Sequence, residues 1–187
     1  MSSLFHRWRE PSSHLALLLA AALAMLLAAL PAQAAVTVHF HSFNGSVLFG
    51  RFPHTFVVFE GTLDDTGTVV NENFGFTAKS TTQAISGPAE HDIVVEEPDQ
   101  IRRTNRHFSV VLTDAQYRRL REEVETWRNQ PGRYYSLDTR NCVHFVARMA
   151  ELIGIRADVP ANMVRRPRAW LNYVTRNNPH LGADEVR

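Results

Sequence analysis

The chain has 187 residues, 44% hydrophobic and 21% charged, with 20 basic and 19 acidic side chains and one cysteine. That length bounds it to one ordinary globular domain, and a formal net charge of +1 excludes the global field that would draw nucleic acid. One cysteine cannot pair within the chain, so a hydrophobic core and not a disulfide framework must hold the fold.

Residues 1–34 read as a signal peptide. Arg7 and Arg9 form a basic start, LALLLAAALAMLLAAL (15–30) is an apolar run of 16 residues, and Ala32-Gln33-Ala34 fits a small-x-small cleavage site. The run is short for a membrane anchor, which needs about 20 apolar residues; contact with the membrane is expected only if the leader stays uncleaved. Cleavage after Ala34 predicts a periplasmic or secreted chain of 153 residues with 18 basic and 18 acidic side chains, expected to be a monomer.

AVTVHFHSF (35–43) alternates Val36, Val38 and Phe40 with Thr37, His39 and His41, which predicts a strand with one buried and one wet face. HTFVVFEG (54–61) is apolar on both faces and reads as a central strand. LDDTG (63–67) is a turn and TVVNENFGF (68–76) the returning arm of a hairpin. After a looser polar stretch, HDIVVEE (91–97) and RHFSVVLT (106–113) supply two more strands. Thr113 and Gln116 then make a capping box, and Leu112 with Tyr117 a hydrophobic staple. Tyr117, Leu120, Val124 and Trp127 mark the inner face of that helix, which Pro131-Gly132 stops. YYSLD (134–138) reads as short and extended. A helix from Cys142 to Ile153 follows, capped by Asn141 and closed by Gly154. PRAWLNYV (167–174) is a short helix, and the polar tail after it is expected to fray. Strands joined by short turns and followed by helices predict an α+β domain over 35–187, an antiparallel sheet packed on a buried cysteine-bearing helix.

On that helix His144, Arg148 and Glu151 form one narrow polar stripe, and the other side chains are apolar. His144 lies about 200° around the axis from Cys142, so it is read as a half-exposed surface histidine with Arg148 or Glu151 as neighbours. Cys142 itself has two readings. It is either a small buried hydrophobe, or a thiol activated by the free N–H groups and dipole of a helix start. A reactive thiol needs a base held by a third polar group. Of the seven histidines after the leader, His180 lies in the tail, His91 beside charged residues, and His39 and His41 on the wet face. His107 begins a strand next to Arg106. His54 follows Pro53 at the mouth of the most apolar strand, where it is either a rigidly held base or a satisfied core histidine.

NCVHFV (141–146) resembles the Asn-Cys-x-His-Phe-Val stretch of lecithin–retinol acyltransferase-like proteins, in the circularly permuted branch of the papain-like, NlpC-type thiol hydrolases. HTFVVFEG and TVVNENFGF resemble that branch's histidine strand and its partner, and the likeness spans roughly 50–155, with a C-terminal helix and tail over 156–187. It implies a permuted papain-like domain with Cys142 as nucleophile and His54 as base. The family often places a second histidine on the next strand; here that position falls in the turn near Thr66, so Asn71 is preferred as the group that orients the ring, with Glu72 and Asn73 as alternatives. The implied activity is cysteine peptidase or amidase hydrolysis, most simply of an amide in cell-wall peptide. Acyl transfer or thioester hydrolysis on a lipid uses the same site, and a catalytically inactive envelope module is the remaining class. No cofactor is implied. Asp64-Asp65 and Glu96-Glu97 are poor metal pairs because adjacent side chains diverge, and no His/Cys spacing suggests zinc. VRRPRAW (164–170) reads as a solvated basic surface with Trp170 docked inward, and less readily as a contact for an anionic wall polymer or lipid headgroup.

Overall fold

The computed structural model describes residues 35–45 and 52–187; the predicted leader, 1–34, lies outside the described residues. Five strands form one antiparallel sheet: β1 (Val36–Phe43), β2 (His54–Thr62), β3 (Val69–Ala78), β4 (His91–Val94) and β5 (Asn105–Leu112), in the spatial order β4-β3-β2-β1-β5. The helices are α1 (Thr81–Ser86), α2 (Pro98–Ile101), α3 (Asp114–Arg128), α4 (Cys142–Leu152) and α5 (Pro167–Asn177), with a 3-10 turn at Pro179–Leu181. The class is α+β, and the apolar HTFVVFEG strand is the middle one. YYSLD is not a strand: only two isolated bridges, Ala89 to Tyr135 and Ser136 to Arg140, pass through it.

Alternation along the strands divides the sheet into two faces. Val36, Val38, Phe40, Val57, Phe59, Phe74, Phe76, Ile93 and Phe108 point to one of them and are buried with Leu120, Val124, Phe145, Met149, Trp170 and Leu171 of the three long helices. At about 25 cal/mol per Å² of apolar surface removed from water, this layer is the main source of stability. The caps that start α3 and α4 are the predicted ones. Thr113 and Gln116 form the capping box of α3, and Trp170 is wholly buried, with its indole N–H donating to the Asp158 carbonyl at 3.1 Å.

The opposite face is not wet. Because β4 and β5 are the two sheet edges, the chain between them, residues 95–104 with α2, must cross it. Asn73 holds one end of the crossing, donating to the Glu96 carbonyl at 3.0 Å and accepting the Glu96 N–H at 2.6 Å. His41 holds the other through Thr104 Oγ1 at 2.8 Å. Phe56 and Val58, whose strand neighbours are His41 and Asn73, are sealed beneath it. The expectation that His39 and His41 are solvated is therefore corrected for His41, which is buried; His39 is half-buried, with Nδ1 2.7 Å from Ser109 Oγ and Nε2 3.4 Å from Glu60. The hydroxyl of Thr104 donates to the Ile101 carbonyl at 2.7 Å, so its one proton is used and His41 Nδ1 is the donor to it.

Two other histidines, passed over as bases for their charged neighbours, are also buried. His91 places Nε2 3.1 Å from the Arg128 carbonyl, and His107 places Nε2 2.8 Å from Ser42 Oγ beneath α5. The tail is tied down where fraying was expected: Asn172 bonds both the N–H and the carbonyl of Val186, and Arg176 pairs with Glu185.

Candidate active site

The site is built on the start of α4. Asn141 has extended backbone, φ −118° and ψ −170°, and its Oδ1 accepts from the N–H groups of Val143 at 2.9 Å and His144 at 3.4 Å. Its Nδ2 donates to the carbonyls of Leu137 at 2.7 Å and Val164 at 2.8 Å. One buried side chain thus caps the helix and clamps the segments before and after it, which fixes Cys142 as the first helical residue. His144 completes this box, its Nδ1 accepting the Asn141 N–H at 3.4 Å. It is a structural residue turned back toward the cap, while Arg148 pairs with Glu123 and Glu151 instead.

Cys142 is buried, with the backbone N–H groups of Thr55, Val143 and Cys142 near its sulfur. They favour a thiolate, but removal from water outweighs them and pushes the thiol up to about 11. Of the two readings, burial favours the small buried hydrophobe over a thiol activated by the helix start, and at neutral pH the group is a protonated thiol. Tyr135 lies beside it, a residue the sequence reading passed over within an extended stretch. Burial, and next the proximity of the Cys142 sulfur, push the Tyr135 phenol well above its ordinary value, with Arg165 pulling the other way. Tyr135 therefore presents a neutral hydroxyl donor near the thiol.

His54 opens β2 and projects from the face opposite the helices. Its ring lies 6.4 Å from that of Phe56 at an interplanar angle of 12°, and 5.7 Å from Phe43. It rests directly over Gly75 of β3: a Cβ there would stand 2.4 Å from His54 Nε2. This is why a glycine interrupts an otherwise well-packed strand. The β2–β3 ladder ends at the Phe56–Gly75 pair, and Thr55, just past it, turns its N–H to the Cys142 sulfur. Imidazole and thiol line one cavity of about 470 Å³. Tyr135, Asn141 and Arg165 supply further polar groups there, and Phe43, Ala84, Ile85, Val94, Leu137 and Val164 are among its apolar lining.

The third member proposed from sequence is not brought to this cavity. Asn71 is exposed and pairs with Glu60, six residues along β2 from His54 or about 20 Å at strand rise. It cannot orient the ring, and that assignment is corrected. Asn73 is occupied with Glu96, and Glu72 lies on the helix side, accepting from Tyr117 at 2.8 Å and paired with Arg121 at 2.8 Å. The turn acid Asp65 pairs with Arg118, while Asp64 and Asp65 give their N–H groups to Asp114. No family model matches the chain, and neither a curated protein nor a solved structure does.

Proposed function

We propose that the chain is an exported cysteine hydrolase of permuted papain-like, NlpC type that cleaves an amide bond, most simply in cell-wall peptide, with Cys142 as nucleophile and His54 as base. The observation that carries this reading is the one cavity that Cys142, at the start of a capped helix, and His54, at the start of β2, both line. Because burial keeps the thiol protonated at rest, its proton leaves as the sulfur attacks the carbonyl carbon, and His54 accepts it. The Cys142 backbone N–H, which unlike those of Val143 and His144 is not taken by Asn141, and the neutral Tyr135 hydroxyl would stabilise the oxyanion. Collapse breaks the C–N bond, His54 returns the proton to the departing amine, and water, deprotonated by the same imidazole, hydrolyses the thioester. The leader over residues 1–34 supports an envelope location.

The mostly apolar cavity wall favours a second substrate for the same chemistry, a lipid acyl ester or thioester. Incubation with purified muropeptides and, separately, with phospholipid vesicles decides between them. A product formed by the wild type and absent with Cys142→Ala and His54→Ala identifies the substrate class. Identical product profiles for wild type and Cys142→Ala in both incubations overturn the enzymatic reading in favour of a non-catalytic module.

A further inference from the structure

We infer that the mouth of the Cys142 cavity is a docking surface for an anionic lipid bilayer. Two features of different chemistry meet there. Phe52 and Ile85, 44% and 70% exposed, both line the cavity. Large apolar side chains left in water around the opening of an apolar hollow signal a covered surface, not scattered exposure. Beside them Arg165 lines both this cavity and a neighbouring pocket of about 220 Å³, which Arg166 and Arg168 also line.

The charge is local, since residues 35–187 carry equal numbers of acidic and basic side chains. Arg165 is paired with Asp138 at 2.6 Å, and Arg168 donates to the Arg187 carbonyl at 3.1 Å. Arg166 is exposed and has no ion-pair partner among the described residues. Glu96 is the one acid among the described residues lining the cavity. Apolar side chains next to a basic cluster whose Arg166 is exposed and without an ion-pair partner among the described residues match the boundary between acyl chains and anionic headgroups. An anionic wall polymer engages the arginines but leaves the apolar rim in water, and a purely apolar protein partner leaves the arginines unused. Among the described residues no helix is long and apolar enough to cross a membrane. The contact does not depend on the chemistry of Cys142.

The test places an environment-sensitive nitrobenzoxadiazole dye on Ile85→Cys in a full-length Cys142→Ala chain, which separates this inference from the catalytic one. The dye reports immersion of the rim itself, whatever the first 34 residues do. Vesicles with 30% phosphatidylglycerol are expected to shift its emission to the blue, and pure phosphatidylcholine vesicles to leave it unchanged. Arg166→Glu with Arg168→Glu abolishes the shift, and Phe52→Ser weakens vesicle binding roughly tenfold, in line with loss of one buried aromatic side chain; circular dichroism confirms that each variant is folded. No shift on anionic vesicles overturns the proposal. So does an equal shift on both vesicle types that survives charge reversal, and so does a shift produced by a soluble polyanion alone, which identifies a wall polymer as the partner.

Discussion

Lowering the pH from 6.5 to 4 is expected to remove most of the domain's stability, because His41 and His107 must stay neutral for the sheet to be covered. Burial, reinforced by the charges of His39, Arg106 and His107, holds the His41 imidazole down to about 3. Burial also takes His107 to about 4; the Asn172 side chain opposes it and Arg168 reinforces it. In the unfolded chain both titrate near 6.5. Between the two sets of values the unfolded chain binds more protons than the folded one, so stability is full above about pH 6.5 and falls as the pH drops. Each group contributes about 1.4 kcal/mol per pH unit in that window, and the pair together at most about 6 kcal/mol by pH 4, comparable to the whole stability of many domains. Urea unfolding between pH 7 and 4.5 measures the slope. His41→Asn keeps a donor where Nδ1 meets Thr104, and His107→Gln keeps a polar group where Nε2 meets Ser42. Each is expected to flatten the slope by about one proton; a slope indifferent to both variants contradicts this account of the two histidines.

Gly75→Ala is expected to cost catalysis far more than stability. The added methyl would stand 2.4 Å from Nε2 and 3.3 Å from Cε1 of His54, and 3.1 Å from Val94 Cγ1. The nearest obstacle is the end of a side chain that can swing away, so the fold is expected to lose no more than about 1.5 kcal/mol. The imidazole, however, can no longer rest where it faces the cavity, and a base displaced by an ångström or more forfeits on the order of 100-fold in rate. Gly75→Ala is therefore expected to approach His54→Ala in turnover while keeping a near-native thermal midpoint. Native turnover in Gly75→Ala would show that the ring's present position is not the working one.

The parts of this arrangement that the sequence displays are those set by local periodicity and capping. Alternation in β1, the two-sided apolar run of β2, the Thr113–Gln116 box and the Asn141 cap each rest on residues within one turn or one strand. The covered far face was not legible, because it follows from the order β4-β3-β2-β1-β5, which forces residues 95–104 across the sheet; nothing near His41 in the chain announces Thr104. Asn71 was misplaced for a related reason. The hairpin register, fixed by the turn over 63–68, pairs it with Glu60 and carries it to the end of β2 remote from His54. At Cys142 the helix start was visible but the depth of burial was not, and burial decides the sign of the thiol's pKa shift. Tyr135 reaches the site through a bridge to Ala89, a contact between distant segments. The short helices α1 and α2, of six and four residues, carry too little periodicity to be seen.

Acylation of the protein by an activated ester tests the central claim most directly. Incubated with p-nitrophenyl decanoate at pH 7 and read by intact mass and peptide mapping, the wild type is predicted to gain one decanoyl group on Cys142 with release of p-nitrophenol. His54→Ala should acquire it at least about 100-fold more slowly, the span expected for loss of a general base, and Cys142→Ala should not acquire it at all. Acylation of His54→Ala at the wild-type rate, or a wild type whose Cys142 stays unmodified while Cys142→Ala behaves identically, would contradict the assignment of Cys142 as a nucleophile served by His54.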